Sequence, residues 1–336
     1  MFSRIGLTQR SSISRPPLTS NAARSRSCIG AQHLRTPAIS GFGVRFYAVK
    51  MDQLPKLPEV ERLSPRVIRI LGHNPSKFTL QGTNTYLIGT GPKRLLLDTG
   101  EGKDAWLASL KSTLQDEKAS ISDVILTHWH PDHVGGVAQV LGLGSDADVK
   151  VWKNQLHPMR KGEWTNYDDG HVFDTEGARM RAFHSPGHTL DHMAFILEEE
   201  GAMFTGDNVL GHGTAVFEDL AVYIDSLERM KEEFAGRAYS AHGAVIEDGK
   251  AKIMEYIAHR KQREVEVLEV LRGTPPGGEE GWMSGEVVEV VYKNYPEHLW
   301  APAEGGVKQV LRKLEGERKV KQVDGGRWTL GEKAAL

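Results

Sequence analysis

The stretch from Ser122 to Gly136 reads S-D-V-I-L-T-H-W-H-P-D-H-V-G-G and sets four metal-capable side chains, His128, His130, Asp132 and His133, within six positions. Imidazole nitrogens and carboxylate oxygens are the donors that zinc and similar borderline cations take. Residues 123–127 are apolar enough for a short buried strand. In extended backbone, positions i and i+2 face the same way, so His128 and His130 present their rings to one point at the strand's end. Pro131 stops the strand and Asp132 begins a helix, which aims Asp132 and His133 at a second point nearby. Two neighbouring points imply two metal ions. One H-x-H pair arises often by chance, but four ligand types after an apolar strand have no simpler structural explanation.

Further strand ends repeat this arrangement. Residues 178–184 read as a strand that ends in S-P-G-H-T and delivers His188. Residues 193–197 and 202–205 form a hairpin whose second strand ends in G-D-N, delivering Asp207, and residues 237–241 deliver His242. Asp98 closes another strand, 94–98; a carboxylate there is expected to hold a neighbouring loop by hydrogen bonds rather than to bind metal.

The elements that must position these residues follow from periodicity. Strands over 67–71, 84–89 and 94–98 come in succession and imply an antiparallel start to a sheet. Helices are expected over 105–114 and 132–141, a strand over 149–152, and a helix over 217–234 whose Leu220, Tyr223, Ile224, Leu227 and Met230 form a core face. A long charged helix, 253–271, carries His259, Arg260, Lys261 and Arg263. A Gly/Pro-rich segment, 273–281, marks a boundary. Beyond it come helices over 284–292 and 303–314, then a hairpin of 319–323 with 327–330 across Asp324-Gly325-Gly326. Helices followed by a two-stranded wing resemble a winged-helix domain, a module that binds nucleic acid in some proteins and acts as a cap or protein contact in others. The fold class expected is α/β, layered α/β/β/α, with every metal-capable residue on loops at one edge of the sheets.

Length and charge narrow the function. At about 150 residues per domain, 336 residues allow one large domain and a small one. The organisation expected is a leader over 1–50, a tether over 51–65, the layered domain over 66–272 and the winged-helix-like domain over 282–331. No apolar run reaches the roughly 18 residues of a membrane span. Residues 1–50 hold 8 basic residues, no Asp or Glu, and many serines. That is the composition of a mitochondrial transit peptide, with a cleavage point before Ala48; the alternative is translation from Met51. Without this segment 34 basic residues (42 minus 8) face 44 acidic ones, a net charge of −10, which counts against a broad phosphate-backbone grip. The single cysteine, Cys28, lies in the same segment, so the remainder has no disulfide or thiolate ligand and must use His and carboxylates.

Taken in order, T-H-W-H-P-D-H, S-P-G-H-T, F-T-G-D-N and A-H-G resemble the metallo-β-lactamase superfamily. The resemblance implies an αβ/βα sandwich with one zinc on His128, His130 and His188, a second on Asp132, His133 and His242, and Asp207 bridging both. From Leu63 to Leu330 the chain resembles one branch, on F-T-L-Q-G-T-N-T-Y-L (78–87), V-F-E-D-L (216–220), Y-I-A-H-R (256–260) and V-Y-K-N-Y-P-E-H-L (291–299). That branch holds mitochondrial lactamase-like endoribonucleases and fungal lactamase-like thioesterases that release polyketides from carrier proteins. The stretches at 51–63 and 206–214 look closer to the thioesterases. Ala241 departs from the branch, which usually has glycine before the histidine.

A zinc-dependent hydrolase is therefore implied, in which water between two zinc ions is acidified and attacks while the metals polarise the electrophile. Asp132 would orient that water and shuttle its proton. The motifs leave carbon or phosphorus open as the electrophile. Thioester hydrolysis would release an acyl or polyketide chain from an acyl carrier protein or polyketide synthase, docked through Arg260, Lys261 and Arg263. The alternative is an endoribonuclease acting on single-stranded RNA, gripped by Lys308, Arg312, Lys313, Arg318 and Lys319. A non-catalytic interaction protein is a third reading, disfavoured by the complete ligand set. The protein is expected in the mitochondrial matrix if residues 1–50 act as a transit peptide, and otherwise in the cytoplasm. Fused to a fluorescent reporter, residues 1–50 should carry it into mitochondria; a diffuse cytosolic signal would refute the transit reading.

Overall fold

The computed structural model describes residues 54–143, 149–156 and 164–334. The leader assigned to residues 1–50 lies outside them. Strands β1 (Val60–Ser64), β2 (Val67–Leu71), β3 (Asn84–Ile88) and β4 (Lys93–Leu97) pair antiparallel in sequence order. After helix α1 (Asp104–Asp116), β5 (Ser120–Leu126) joins β4 in parallel, and β6 (Lys150–Lys153) joins β5 in parallel. Between β5 and β6 lie two short helices, α2 (Pro131–Val134) and α3 (Val137–Leu141). Strands β7 (Val172–Thr175), β8 (Ala178–His184), β9 (Met193–Leu197) and β10 (Ala202–Gly206) make a second antiparallel sheet. Helix α4 (Leu220–Glu233) crosses over to β11 (Ala238–Ser240), which pairs parallel with β10.

Alternation along the strands explains the layers. Tyr86, Ile88, Leu95, Leu97 and Ile125 point inward against Phe173, Met180, Phe195 and Phe204 of the second sheet. Their chain neighbours Leu87, Leu96, Val124 and Leu126 point outward onto Trp106 and Leu110 of α1 and Val140 of α3. Both faces of each central strand are buried, so side chains with period two serve two different cores. On the far side, Ala194, Ile196 and Met203 pack under α4 and the long helix α5 (Gly249–Arg272).

Two expected features are corrected. The segment taken as a tether contains β1, whose Val60 pairs with Ile70 and whose side chains are half-exposed or exposed. An edge strand carries polar outer residues and so lacks the apolar signal of a buried one. The helix expected over 132–141 is broken into α2 and α3 at Gly135-Gly136, where a side chain on Gly136 would come within 2.2 Å of the Thr99 carbonyl oxygen and collide with Trp106. Strand β7 was also missed, for its burial is partial and its run is short.

The C-terminal part consists of α6 (Ser284–Val291), α7 (Trp300–Gly316) and the hairpin β12 (Val320–Val323) with β13 (Arg327–Leu330), a winged helix. Val287, Val307, Leu311 and Trp328 belong to the same apolar cluster as Val267 and Val270 of α5 and Leu227 of α4. Between the helices, Lys313 lies 2.9 Å from the buried Glu264 carboxylate. Among the described residues no helix is long and apolar enough to cross a membrane. With one core running through both parts, Leu311→Ala should cost about 2–5 kcal/mol. Tryptophan fluorescence and far-ultraviolet circular dichroism should lose structure in one shared transition; wing melting that leaves the sheets intact would contradict this continuity.

Candidate metal centre

All seven residues singled out in the sequence meet at one edge of the two sheets. They fall into two groups, His128, His130, His188 and Asp207, and Asp132, His133 and His242, the donor atoms within each lying within 4.8 Å of one another. His128 follows β5 directly, and His130 in extended backbone caps α2 with Pro131 at its first position. His130 Nδ1 stands 2.9 Å from His128 Nε2 and 3.0 Å from His188 Nε2. Asp132 Oδ2 lies 3.2 Å from His133 Nε2 and 3.4 Å from His242 Nε2. Asp207 faces both groups, with Oδ2 3.3 Å from His188 Nε2 and Oδ1 3.1 Å from His242 Nε2.

Outward contacts set the rings. His188 Nδ1 is 2.7 Å from the Val216 carbonyl oxygen, which can only accept, so that nitrogen carries the hydrogen and Nε2 turns its lone pair inward. His133 Nδ1 is 2.8 Å from Asp98 Oδ2, with the same consequence for its Nε2. Asp98 also accepts from the Thr127 amide at 2.9 Å and from the Thr127 hydroxyl, the loop-holding part foreseen for it. It does so in the left-handed region, at φ 60°.

Electrostatics differ between the groups. Burial, followed by repulsion from His133 and His188, holds His128 well below its ordinary range, and burial with His188 brings His130 down to about 4. Burial works against charge on His133 too, but Asp132, Asp98 and Asp207 outweigh it and raise its pKa. Burial likewise opposes ionisation of Asp132 and Asp207, yet the surrounding imidazoles depress both. Burial thus opposes charge on His128 and His130 of the first group, while the carboxylates favour it on His133 of the second. His133 Nε2 and Asp207 Oδ1 are buried without a conventional hydrogen bond. This nitrogen and oxygen donor set, held by outer partners, fits divalent metal ions, and uptake by the second group would release protons.

Several supporting residues escaped the sequence. His192 is fully buried; its Nδ1 lies 2.9 Å from the Ser185 hydroxyl and its Nε2 accepts from the Asp207 amide at 3.1 Å. Gly206, at φ 52°, makes room for that ring, since a Cβ there would lie 2.4 Å from His192 Nε2. Thr83 donates its hydroxyl to Asp132 Oδ2 at 3.0 Å. Asn84 donates to the carbonyls of Ser240 and Gly243, bracketing His242. Ala241 leaves that loop in place: its amide donates to the Gly206 carbonyl at 3.1 Å and its carbonyl accepts from Asn84 at 2.7 Å. Nothing local marks these contacts, although H-T-L-D-H spacing around His192 is a signal of sorts. Above the donors opens a cavity of about 480 Å³ with His130, Asp132 and Asp207 on its floor and Phe78, Leu210 and Val216 in its walls.

Residues 78–242 match the family described as the Metallo-beta-lactamase superfamily, and residues 284–328 match the Beta-lactamase associated winged helix domain. The chain is 47% identical over 277 residues to an atrochrysone carboxyl ACP thioesterase of Passalora fulva, covering 81% of this chain and 82% of that one. It is 46% identical over 275 residues to a lactamase-like protein of Pestalotiopsis fici, covering 81% and 87%. Among solved structures, a beta-lactamase domain protein from Burkholderia ambifaria superposes with a TM-score of 0.68 at 20% identity over 82% of this chain and 95% of that one, a likeness of fold.

Asp98→Asn should weaken metal binding by about 10–100-fold, because the amide no longer fixes the His133 ring as a carboxylate does. Competition with a chelator measures this, and unchanged affinity would remove Asp98 from the centre.

Proposed function

The chain belongs to the metallo-β-lactamase superfamily and is a hydrolase, and from that premise we propose that it cleaves a thioester, releasing an acyl or polyketide chain from an acyl carrier protein with two zinc ions as cofactor. The observation that carries the reading is the apolar-walled cavity standing over the donor cluster. Its volume suits a small-molecule acyl group, and Phe78, Leu80, Leu210, Ala215 and Val216 line it beside the donors. The relatives named as carrier-protein thioesterases support it.

His128, His130 and His188 would hold one ion and Asp132, His133 and His242 the other, with Asp207 between. Zinc bound there supplies Lewis acidity and lowers the pKa of water. In the overall reaction water adds to the thioester carbonyl, the C–S bond breaks, and a carboxylic acid and a thiol leave. Asp132, kept ionised by His133 and His242 and steadied at Oδ2 by the Thr83 hydroxyl, takes the proton that water gives up and returns it to the departing sulfur. Phe78, Leu210 and Val216 hold the acyl chain and keep bulk water from it.

Among the described residues, three of the five basic residues that favoured RNA are ion-paired, Arg312 and Arg318 being the exceptions. Lys308 pairs with Glu304 at 2.9 Å, Lys319 with Glu317 at 2.7 Å, and Lys313 with Glu264 and Glu317. Ion-paired side chains make a poor phosphate clamp. Purified, zinc-loaded protein offered an acyl thioester on a carrier protein and a single-stranded RNA should release thiol and leave the RNA largely intact. Asp132→Asn should lower thiol release by about 10²–10⁴-fold. RNA cleavage that this variant abolishes, without thioester turnover, would reverse the assignment.

A further inference from the structure

Three of the stretches that mark the branch contribute almost nothing to the donor cluster, yet the fold gathers them. Val216 and Phe217, His259 and Arg260, and Tyr292 all line a second cavity of about 410 Å³ between α5 and α7. Val216 lines the catalytic cavity as well, so the two share a wall, and its carbonyl is the group that orients His188.

The second cavity holds an uncompensated cation. Arg260 lies with its guanidinium 4.7 Å from the Phe217 ring centre, and it donates through Nη2 to the Ala215 carbonyl at 2.9 Å. Its Nε is buried without a hydrogen bond, and no carboxylate among the described residues pairs with it. The neighbouring cations on the helix differ: Lys261 is taken by Glu228 and Arg263 by Glu266, each at 2.8 Å. Arg263 nonetheless lines the cavity, 4.4 Å from the Tyr292 ring centre. Burial first, then Arg260 and Arg263, push His259 down to about 4, which marks the place as hostile to a further cation. On the opposite wall Gly305 and Gly306 leave open space where side chains would stand. A guanidinium stacked on an aromatic ring with free N–H groups is a receptor for phosphate.

We propose that this cavity binds the phosphate end of a phosphopantetheine arm, Arg260 taking the phosphodiester while the arm passes Val216 and lays the thioester over the donor cluster. The proposal rests on the thioesterase reading. A single phosphate on a flexible, otherwise neutral arm suits one shared wall between two modest cavities. It also suits a chain whose residues 51–336 carry a net charge of −10 and would repel a long polyanion.

The test uses zinc-loaded protein and one acyl group carried either on 4′-phosphopantetheine or on pantetheine, which lacks the phosphate. The wild type should prefer the phosphorylated thioester in kcat/KM by about tenfold or more. Arg260→Gln should pull that ratio toward one, Arg260→Lys should restore part of it, and Arg263→Gln, at a side chain already paired with Glu266, should change it less. Because the reading is a ratio on the same protein, partial loss of folded enzyme does not affect it. Both thioesters hydrolysed with a ratio near one, or a ratio untouched by Arg260→Gln, would overturn the phosphate site and leave the thioesterase reading standing. Neither thioester hydrolysed would sink both, and RNA cleavage lost in the same variants would make the cavity an RNA contact.

Discussion

Among the described residues Asp207 is the one carboxylate that ion-pairs with both halves of the donor cluster, 3.3 Å from His188 on one side and 3.4 and 3.1 Å from His133 and His242 on the other. Burial alone would drive it to its neutral form, and the three imidazoles keep it charged instead. Its position is in turn imposed by the backbone: Gly206 at positive φ, the close His192 ring and the hydrogen bond that the Asp207 amide donates to His192 Nε2 leave the loop after β10 little choice. With Asp132 and Asp98, Asp207 offsets the charge that His133 would carry among the neighbouring rings.

The cluster exists because two sheets share an edge. His128 to His133 come from the first sheet, whereas His188, Asp207 and His242 come from the second. Apolar packing between the sheets sets their spacing, but polar ties across the edge set the register. The Met193 amide donates to the Thr127 carbonyl at 2.9 Å, Asn84 reaches across to Ser240 and Gly243, and buried Lys153 at the end of β6 pairs with Asp191 on the loop that carries His188. Asp191 also accepts from Thr189 at 2.8 Å. Each tie would be costly to leave half-made in a site shielded from water, so the edge behaves as a unit.

The same economy of placement extends to the winged helix. Its apolar residues complete the cluster beneath α4 and α5, and its lysines are used to neutralise carboxylates such as Glu264. The loop over 213–217 links this region to the chemistry, because Ala215 is held by Arg260 while Val216 holds His188. Substitutions on α5 are thus expected to reach the donors through two hydrogen bonds rather than through any change of fold.

Donor types, strand ends and the winged helix were legible in the amino-acid sequence, for each is written locally: His and Asp spacing after apolar runs, period-two strands buried on both faces, and a Gly-Gly turn between short strands. Edge strand β1 and the break at Gly135-Gly136 were not, because the first depends on a partner strand and the second on the close approach of Thr99 and Trp106. Likewise the roles of Thr83, Asn84 and His192, the pairing of Lys261 but not Arg260, and the two cavities meeting at Val216 depend on residues tens to hundreds of positions apart in the chain. Local sequence determines which groups are available and how each strand end presents them. Tertiary packing decides which charges find a partner, since long-range contacts carry no signature in the residues that make them.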